Sequence, residues 1–181
     1  FRCGGSNEFL SWLDTLLYDT GELSPYSEDP EKFEFRVFDD PGEMHEAIRR
    51  KNAQGEKSRI VAGYCWDWVS KKEKHLSDIV LDNGAYAAQW NLTEHGSLWI
   101  EREESISEIG CIHTCQGLEV DYIGVIIGPD LRFEDGEFVC DVSQRAKTDA
   151  SIKGIKKMGR EDPEKAAALG KELILNTYRT L

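Results

Sequence analysis

The sequence holds no apolar run long enough to cross a bilayer and no charged-then-apolar leader at its start. It has no internal repeat. Positive charge is scarce: 22 Lys and Arg stand against 34 Asp and Glu, a formal net charge of -12. That balance excludes a general basic coat for nucleic acid. It leaves room for contact through one local surface, since only the contact face needs a favourable potential. Paired cysteines are missing too. The five thiols, at 3, 65, 111, 115 and 140, are odd in number and scattered, and 181 residues can bury a core without disulfide staples. Reduced cysteines in a cytoplasmic protein are the simplest reading, and no membrane contact is expected.

What is present points to a folded domain. Hydrophobic residues make up 40% and aromatics 10%, too much for a disordered tail. The chain starts at Phe1 and stops at Leu181 inside a helical pattern, so it is expected to be an excerpt of a longer polypeptide. Residues 6–20 predict a helix capped by Ser6, with Phe9, Trp12, Leu13, Leu16 and Leu17 as its apolar face and Gly21 as its stop. A polar loop follows over 22–31. Phe33, Phe35 and Val37 then alternate as in a strand. Asp40-Pro41-Gly42-Glu43 is a helix start, and that helix ends at Gly55. Residues 59–64 read as a further strand, which completes a βαβ unit and implies a parallel sheet. Residues 65–100 predict irregular structure with one or two short strands, and 106–113 another strand. The run 121–128 is the clearest buried strand. Asp135-Gly136 between Phe133 and Phe138 predicts a hairpin. Residues 143–161 read as polar and mobile, and Asp162-Pro163-Glu164 opens a last helix.

The most informative stretch is Cys111-Ile112-His113-Thr114-Cys115-Gln116-Gly117-Leu118-Glu119-Val120-Asp121, which leads into the buried strand. In parallel sheets ligands sit at strand ends and in the loops that follow. Gly117 permits close backbone approach. Gln116 and Glu119 can bond a ribose, a phosphate-bound water or a neighbouring lobe, while His113 and Thr114 can donate to a phosphodiester.

This stretch resembles motif V of the superfamily-one, UvrD-like helicases, whose pattern runs Thr-x-His-x-x-Lys/Gln-Gly-Leu-Glu-Phe-Asp. His113, Gln116, Gly117, Leu118, Glu119 and Asp121 match it; Cys111 replaces the usual Thr and Val120 the usual Phe. The wording from Ile112 to Leu131 is similar to a bacterial family grouped with the Schlafen-type DNA/RNA helicase domains. Phe1-Arg2-Cys3 resembles the end of motif IV, and residues 176–181 resemble the start of motif VI.

The resemblance implies an α/β fold: the second, C-terminal RecA-like lobe of a P-loop NTPase, with a mainly parallel sheet flanked by helices and a β-hairpin insertion. Residues 1–181 would form one such domain, truncated at both ends, with 145–160 as a flexible basic insertion. Arg2, Gln116, Gly117 and Glu119 would face the nucleotide, and His113 and Thr114 the nucleic-acid track. ATP and Mg2+ would be the cofactors of the full-length protein, with none expected on this fragment. The partners would be an upstream first RecA-like lobe of the same polypeptide and single-stranded DNA or RNA. The sequence holds no Gly-x-x-x-x-Gly-Lys-Ser/Thr loop and no Walker B acidic pair. The motif VI arginine would lie past Leu181, and Arg179 does not replace it. This chain is therefore not expected to turn over ATP alone. The other reading implied by Schlafen-type relatives is a catalytically inactive nucleic-acid- or protein-binding module.

Taken singly, each of these residues also has an ordinary structural reading: Glu119 and Asp121 as turn residues, His113 as a half-buried imidazole, Gly117 as a turn glycine. In an extended segment Cys111, His113 and Cys115 would share one face, which invites zinc, but no second ligand pair accompanies them and no metal is expected. No third group marks a cysteine nucleophile. The basic residues of 145–160 suit phosphate contact or a solvated loop. Trp66 and Trp68 suit base stacking or the core.

Overall fold

The computed structural model describes residues 6–18, 22–27, 32–91, 96–115 and 119–181. Helix α1 (Asn7–Tyr18) starts where the Phe9 amide donates to Ser6 Oγ at 2.9 Å. Helix α2 (Pro41–Ala53) starts at Asp40, whose Oδ1 accepts from the Gly42 amide at 2.6 Å. It closes on Gly55, held at φ 92, which glycine adopts without steric cost. The strands are β1 (Ser58–Ala62), β2 (Ile79–Leu81), β3 (Tyr86–Trp90), β4 (Glu108–Gly110) and β5 (Tyr122–Ile126). The short helix α3 (Ile112–Cys115) follows β4. A hairpin of β6 (Leu131–Glu134) and β7 (Glu137–Cys140) turns at Asp135 (φ 52) and Gly136 (φ 89), the double positive-φ turn that Asp-Gly favours. Helices α4 (Lys153–Met158) and α5 (Pro163–Thr180) complete the chain, with Asp162 Oδ1 capping α5.

The central sheet has the order β2-β3-β4-β1-β5. β3, β4, β1 and β5 run parallel, and only the edge strand β2 is antiparallel. The fold is thus α/β with a mostly parallel sheet between helices. α2 covers one face, where a side chain on Gly124 would meet Met44 and Ile48. Ile60, Ala62, Ile109, Ile126 and Trp90 belong to that core. Each fully buried Ile contributes roughly 1.5–3 kcal/mol of apolar transfer. A second cluster joins α1 and α5 to the hairpin through Leu17, Leu131, Ile174 and Leu175, with Val125 of β5 packed against it. Among the described residues no helix is long and apolar enough to cross a membrane.

Four expectations change. The run 121–128, expected as a buried strand, contains β5 at the edge of the sheet, paired there only with β1 among the described residues, with Ile123 42% and Ile127 61% exposed. Residues 33–37 do not form a strand. Phe33 and Phe35 pack with Phe9, at centroid distances of 4.7 and 5.3 Å, in an aromatic cluster with Trp12 and Tyr26, so their alternation serves ring packing rather than a ladder. The strand expected over 106–113 is confined to 108–110, because the chain turns into α3. Residues 145–160, read as a flexible basic stretch, carry a 3-10 turn at Ala150–Ile152 and helix α4. Arg145 there is 4% exposed and ion-paired to Asp130 and Asp149.

Candidate functional site

Four parallel strands end on one edge of the sheet, at Ala62, Trp90, Gly110 and Ile126. Open parallel sheets bind ligands outside that carboxyl edge. The segment after β4 climbs onto it as α3. The Thr114 amide donates to the Cys111 carbonyl at 2.8 Å, and Thr114 Oγ1 donates to Asn91 Oδ1 at 2.8 Å. Asn91 directly follows β3, is buried, and donates its amide to the Ile109 carbonyl at 2.9 Å. Thr114 is therefore half-buried and turned toward its neighbour strand, whereas His113 is exposed. Cys111 is buried, with Sγ 3.5 Å from Thr114 Oγ1. The helical turn puts Cys111 and His113 in different environments, unlike the shared face an extended segment would give.

Of the other residues singled out in the sequence, Glu119 is described and exposed. Arg2, Gln116 and Gly117 lie outside the described residues, as does the Cys115 side chain. Asp121 belongs to the opposite edge. Its Oδ2 accepts from the Lys57 amide at 2.8 Å and its own amide donates to the Lys57 carbonyl at 2.8 Å, which latches the starts of β1 and β5 together. The motif thus runs from one edge of the sheet to the other, and its last carboxylate is a structural clamp.

The loop after β1 adds a row of rings to the carboxyl edge. Tyr64 and Trp66 lean on Trp90 at centroid distances of 5.4 and 6.4 Å, and Trp90 Nε1 donates to the Trp66 carbonyl at 3.1 Å. Beside them lies a buried polar network. Asp130, fully buried, accepts from Arg145 Nη1 at 3.1 Å and from the Tyr178 hydroxyl at 2.5 Å, and that hydroxyl accepts from the Gly128 amide at 2.7 Å. Space here is tight: a Cβ at Gly63 would sit 2.0 Å from the Tyr178 hydroxyl oxygen, and one at Gly128 2.4 Å from Cys65 Sγ. Burial, reinforced by the Asp130 charge, pushes the Cys65 thiol up to about 12, so it is no nucleophile at neutral pH. Burial also raises the Tyr178 phenol. Burial works against the Asp149 carboxylate, but hydrogen bonds from Ser151 and Arg145 hold it below its usual range. Sequence reasoning missed Asn91, Tyr64 and Asp130. The distance along the chain from Thr114 to Asn91 gives no local signal of that contact. Among the described residues no group of three or more His, Cys, Asp or Glu is placed to hold a metal ion.

The mostly parallel sheet flanked by helices, with polar and aromatic groups along its carboxyl edge, defines the general class, an α/β domain. The full span, residues 1–181, matches the family described as Schlafen group 3, DNA/RNA helicase domain, and the chain belongs to that family. Membership marks it as a helicase-derived module connected with nucleic acid. The chain is also 24% identical over 147 residues to the uncharacterized protein YPL245W of Saccharomyces cerevisiae, a match covering 74% of this chain and 32% of that protein. The chain therefore spans about a third of the length of that curated relative. No solved structure matches the chain.

Proposed function

We propose that this domain is the second motor lobe of an ATP-dependent DNA or RNA helicase or translocase, of the RecA-like, superfamily-one type. The single observation that carries the reading is the position of the motif V-like segment. It follows β4 at the carboxyl edge of the parallel sheet and leads into β5, where such sheets hold ligands. Family membership supports it. In this reading Gln116, Gly117 and Glu119, with Arg2, close one wall of the nucleotide cleft. His113 and Thr114 sit beside the track of a single strand, with Thr114 fixed in orientation by Asn91. ATP with Mg2+, when bound, supplies the phosphoryl-transfer chemistry. The donor set here is an amide, a backbone amide, a carboxylate and an arginine. It can orient a nucleotide but cannot cradle a triphosphate and its metal, so those groups belong to an upstream first lobe. Closing and opening of the lobes would turn hydrolysis into stepping.

A second reading, a binding module that has lost hydrolysis, draws support from Cys111. It replaces the usual threonine and is buried against Thr114 instead of offering a hydroxyl to a ligand. Hydrolysis of ATP by the full-length protein, with and without single-stranded DNA or RNA, separates the two. The motor reading expects hydrolysis that rises with nucleic acid and collapses in both Glu119→Ala and Arg2→Ala. An intact phosphate loop upstream with no hydrolysis at all would overturn it and leave the binding module.

A further inference from the structure

We infer that the carboxyl edge carries a second contact surface for a single strand, in which Tyr64, Trp66 and Trp68 stack on bases and Lys71 and Lys147 hold phosphates. The inference rests on the reading above that this edge meets single-stranded nucleic acid.

The first observation is a junction between two parts of the chain that are far apart in sequence. The Ala146 amide donates to the Tyr64 carbonyl at 3.0 Å, the Lys147 amide to Asp67 Oδ1 at 2.8 Å, and the Tyr64 hydroxyl lies 3.0 Å from Thr148 Oγ1. The aromatic loop after β1 and the basic stretch after the hairpin therefore form one surface. Asp67, the carboxylate nearest the rings in sequence, has one oxygen engaged by that backbone amide.

The second observation is continuity with motif V. Thr114 is bonded to Asn91, Asn91 directly follows Trp90, and Trp90 packs against both Tyr64 and Trp66. The contacts run through the buried Asn91 and Trp90 and put the rings on the same edge of the sheet as His113 and Thr114.

The third observation is that the loop is held in shape without ligand. Asp78, 7% exposed, accepts from the Ser70 amide and hydroxyl at 2.8 and 2.6 Å and from the Trp90 amide at 2.8 Å. Gln89 Nε2 donates to the carbonyls of Lys74 and Leu76, both at 2.7 Å. The loop is tied to β3 at both ends, so little order remains to be imposed on binding.

The side chains suit a nucleic-acid strand. Tyr64, Trp66 and Trp68 are half-buried and pack against the core. Lys71 Nζ stands 4.3 Å from the centroid of the Trp68 ring, a cation held beside a stacking face. Lys71, Lys72 and Lys147 are exposed, and among the described residues none of them forms a salt bridge. Glu73 interrupts the run, but in a chain of net charge -12 three lysines within 71–74 still stand out as a local exception. Rings with flanking cations are the sequence-tolerant way of holding single strands.

The test is fluorescence anisotropy of labelled oligo-dT and oligo-U with the full-length protein over a range of salt. Compared with wild type are Trp68→Leu, the double variant Lys71→Gln/Lys147→Gln, and Lys57→Gln on the opposite edge, with thermal melts of each. Trp68→Leu is expected to bind about tenfold more weakly. The lysine double variant, exposed and so safe for folding, is expected to lower the salt slope by roughly 0.7 for each phosphate no longer neutralised. Lys57→Gln should change neither. Wild-type binding with unchanged affinity and slope in the lysine double variant overturns this surface while leaving the proposed function standing. Failure of the wild type to bind either oligonucleotide overturns both.

Discussion

The two edges of the parallel sheet treat polar groups in opposite ways. At the amino edge Arg59 is 3% exposed, and all its donors are used on neutral acceptors: Ser105 Oγ, Asn52 Oδ1 and the carbonyls of Ser58, Ile100 and Arg102. His45 is buried there between Tyr86 and Ile106, and Asp121 clamps Lys57. At the carboxyl edge the Asp130 network is equally closed, but over β1, β3 and β4 the groups are half-exposed rings, an exposed imidazole and lysines without salt bridges among the described residues. Saturated polar groups serve the fold, because leaving any of them unpaired costs the full desolvation penalty. Groups left partly in water are the ones that can still take a ligand. The contrast argues for the carboxyl edge as the working surface.

The contrast breaks first at Arg59 if it is mistaken. Arg59→Met removes five hydrogen bonds from a buried site, with the Arg102 carbonyl keeping donors in Ser105, and should destabilise by about 3–5 kcal/mol, read by urea denaturation; a loss under 1 kcal/mol would mean the amino edge is not a lock. Tyr178→Phe removes a hydroxyl that serves Gly128 and Asp130, and should cost about 1–3 kcal/mol in the same assay. His45 gives a smaller, pH-dependent effect. The Ile106 carbonyl can only accept, so Nε2 carries the proton and Nδ1 accepts from the Tyr86 hydroxyl. Burial lowers the His45 pKa from its ordinary 6.5, so the unfolded chain binds the proton more readily. Stability is then full above that value and falls as pH drops below it. His45→Gln should flatten melting temperatures measured between pH 8 and 5.5. The exposed Lys57–Glu101 pair, 3.3 Å apart, should matter least: Lys57→Gln is expected to change stability by no more than about 0.5 kcal/mol.

Much of the fold is written locally. Asp40-Pro41 and Asp162-Pro163 act on amides two or three residues away, and Asp135-Gly136 sets its own turn, so those elements are legible in the sequence. Phe33 and Phe35 misled because alternation says which way side chains point, not whether a neighbouring strand is there to pair. Arg145 looked like one cation in a solvated run, yet Asp130, which precedes the hairpin, and Asp149, one helical turn on, draw it inside. In the candidate site the motif itself is local, so His113, Thr114 and Glu119 could be singled out. Asn91, and the meeting of Tyr64 with Thr148, depend on contacts 23 and 84 residues apart and follow only from the sheet order.

Hydrogen exchange of the full-length protein with and without a single-stranded oligonucleotide tests the central contrast most directly. Protection is expected at 63–68, 111–115 and 146–148, with amides at 57–60 and 102–109 unchanged. Protection confined to the amino edge, with the carboxyl edge unaltered, would contradict the account.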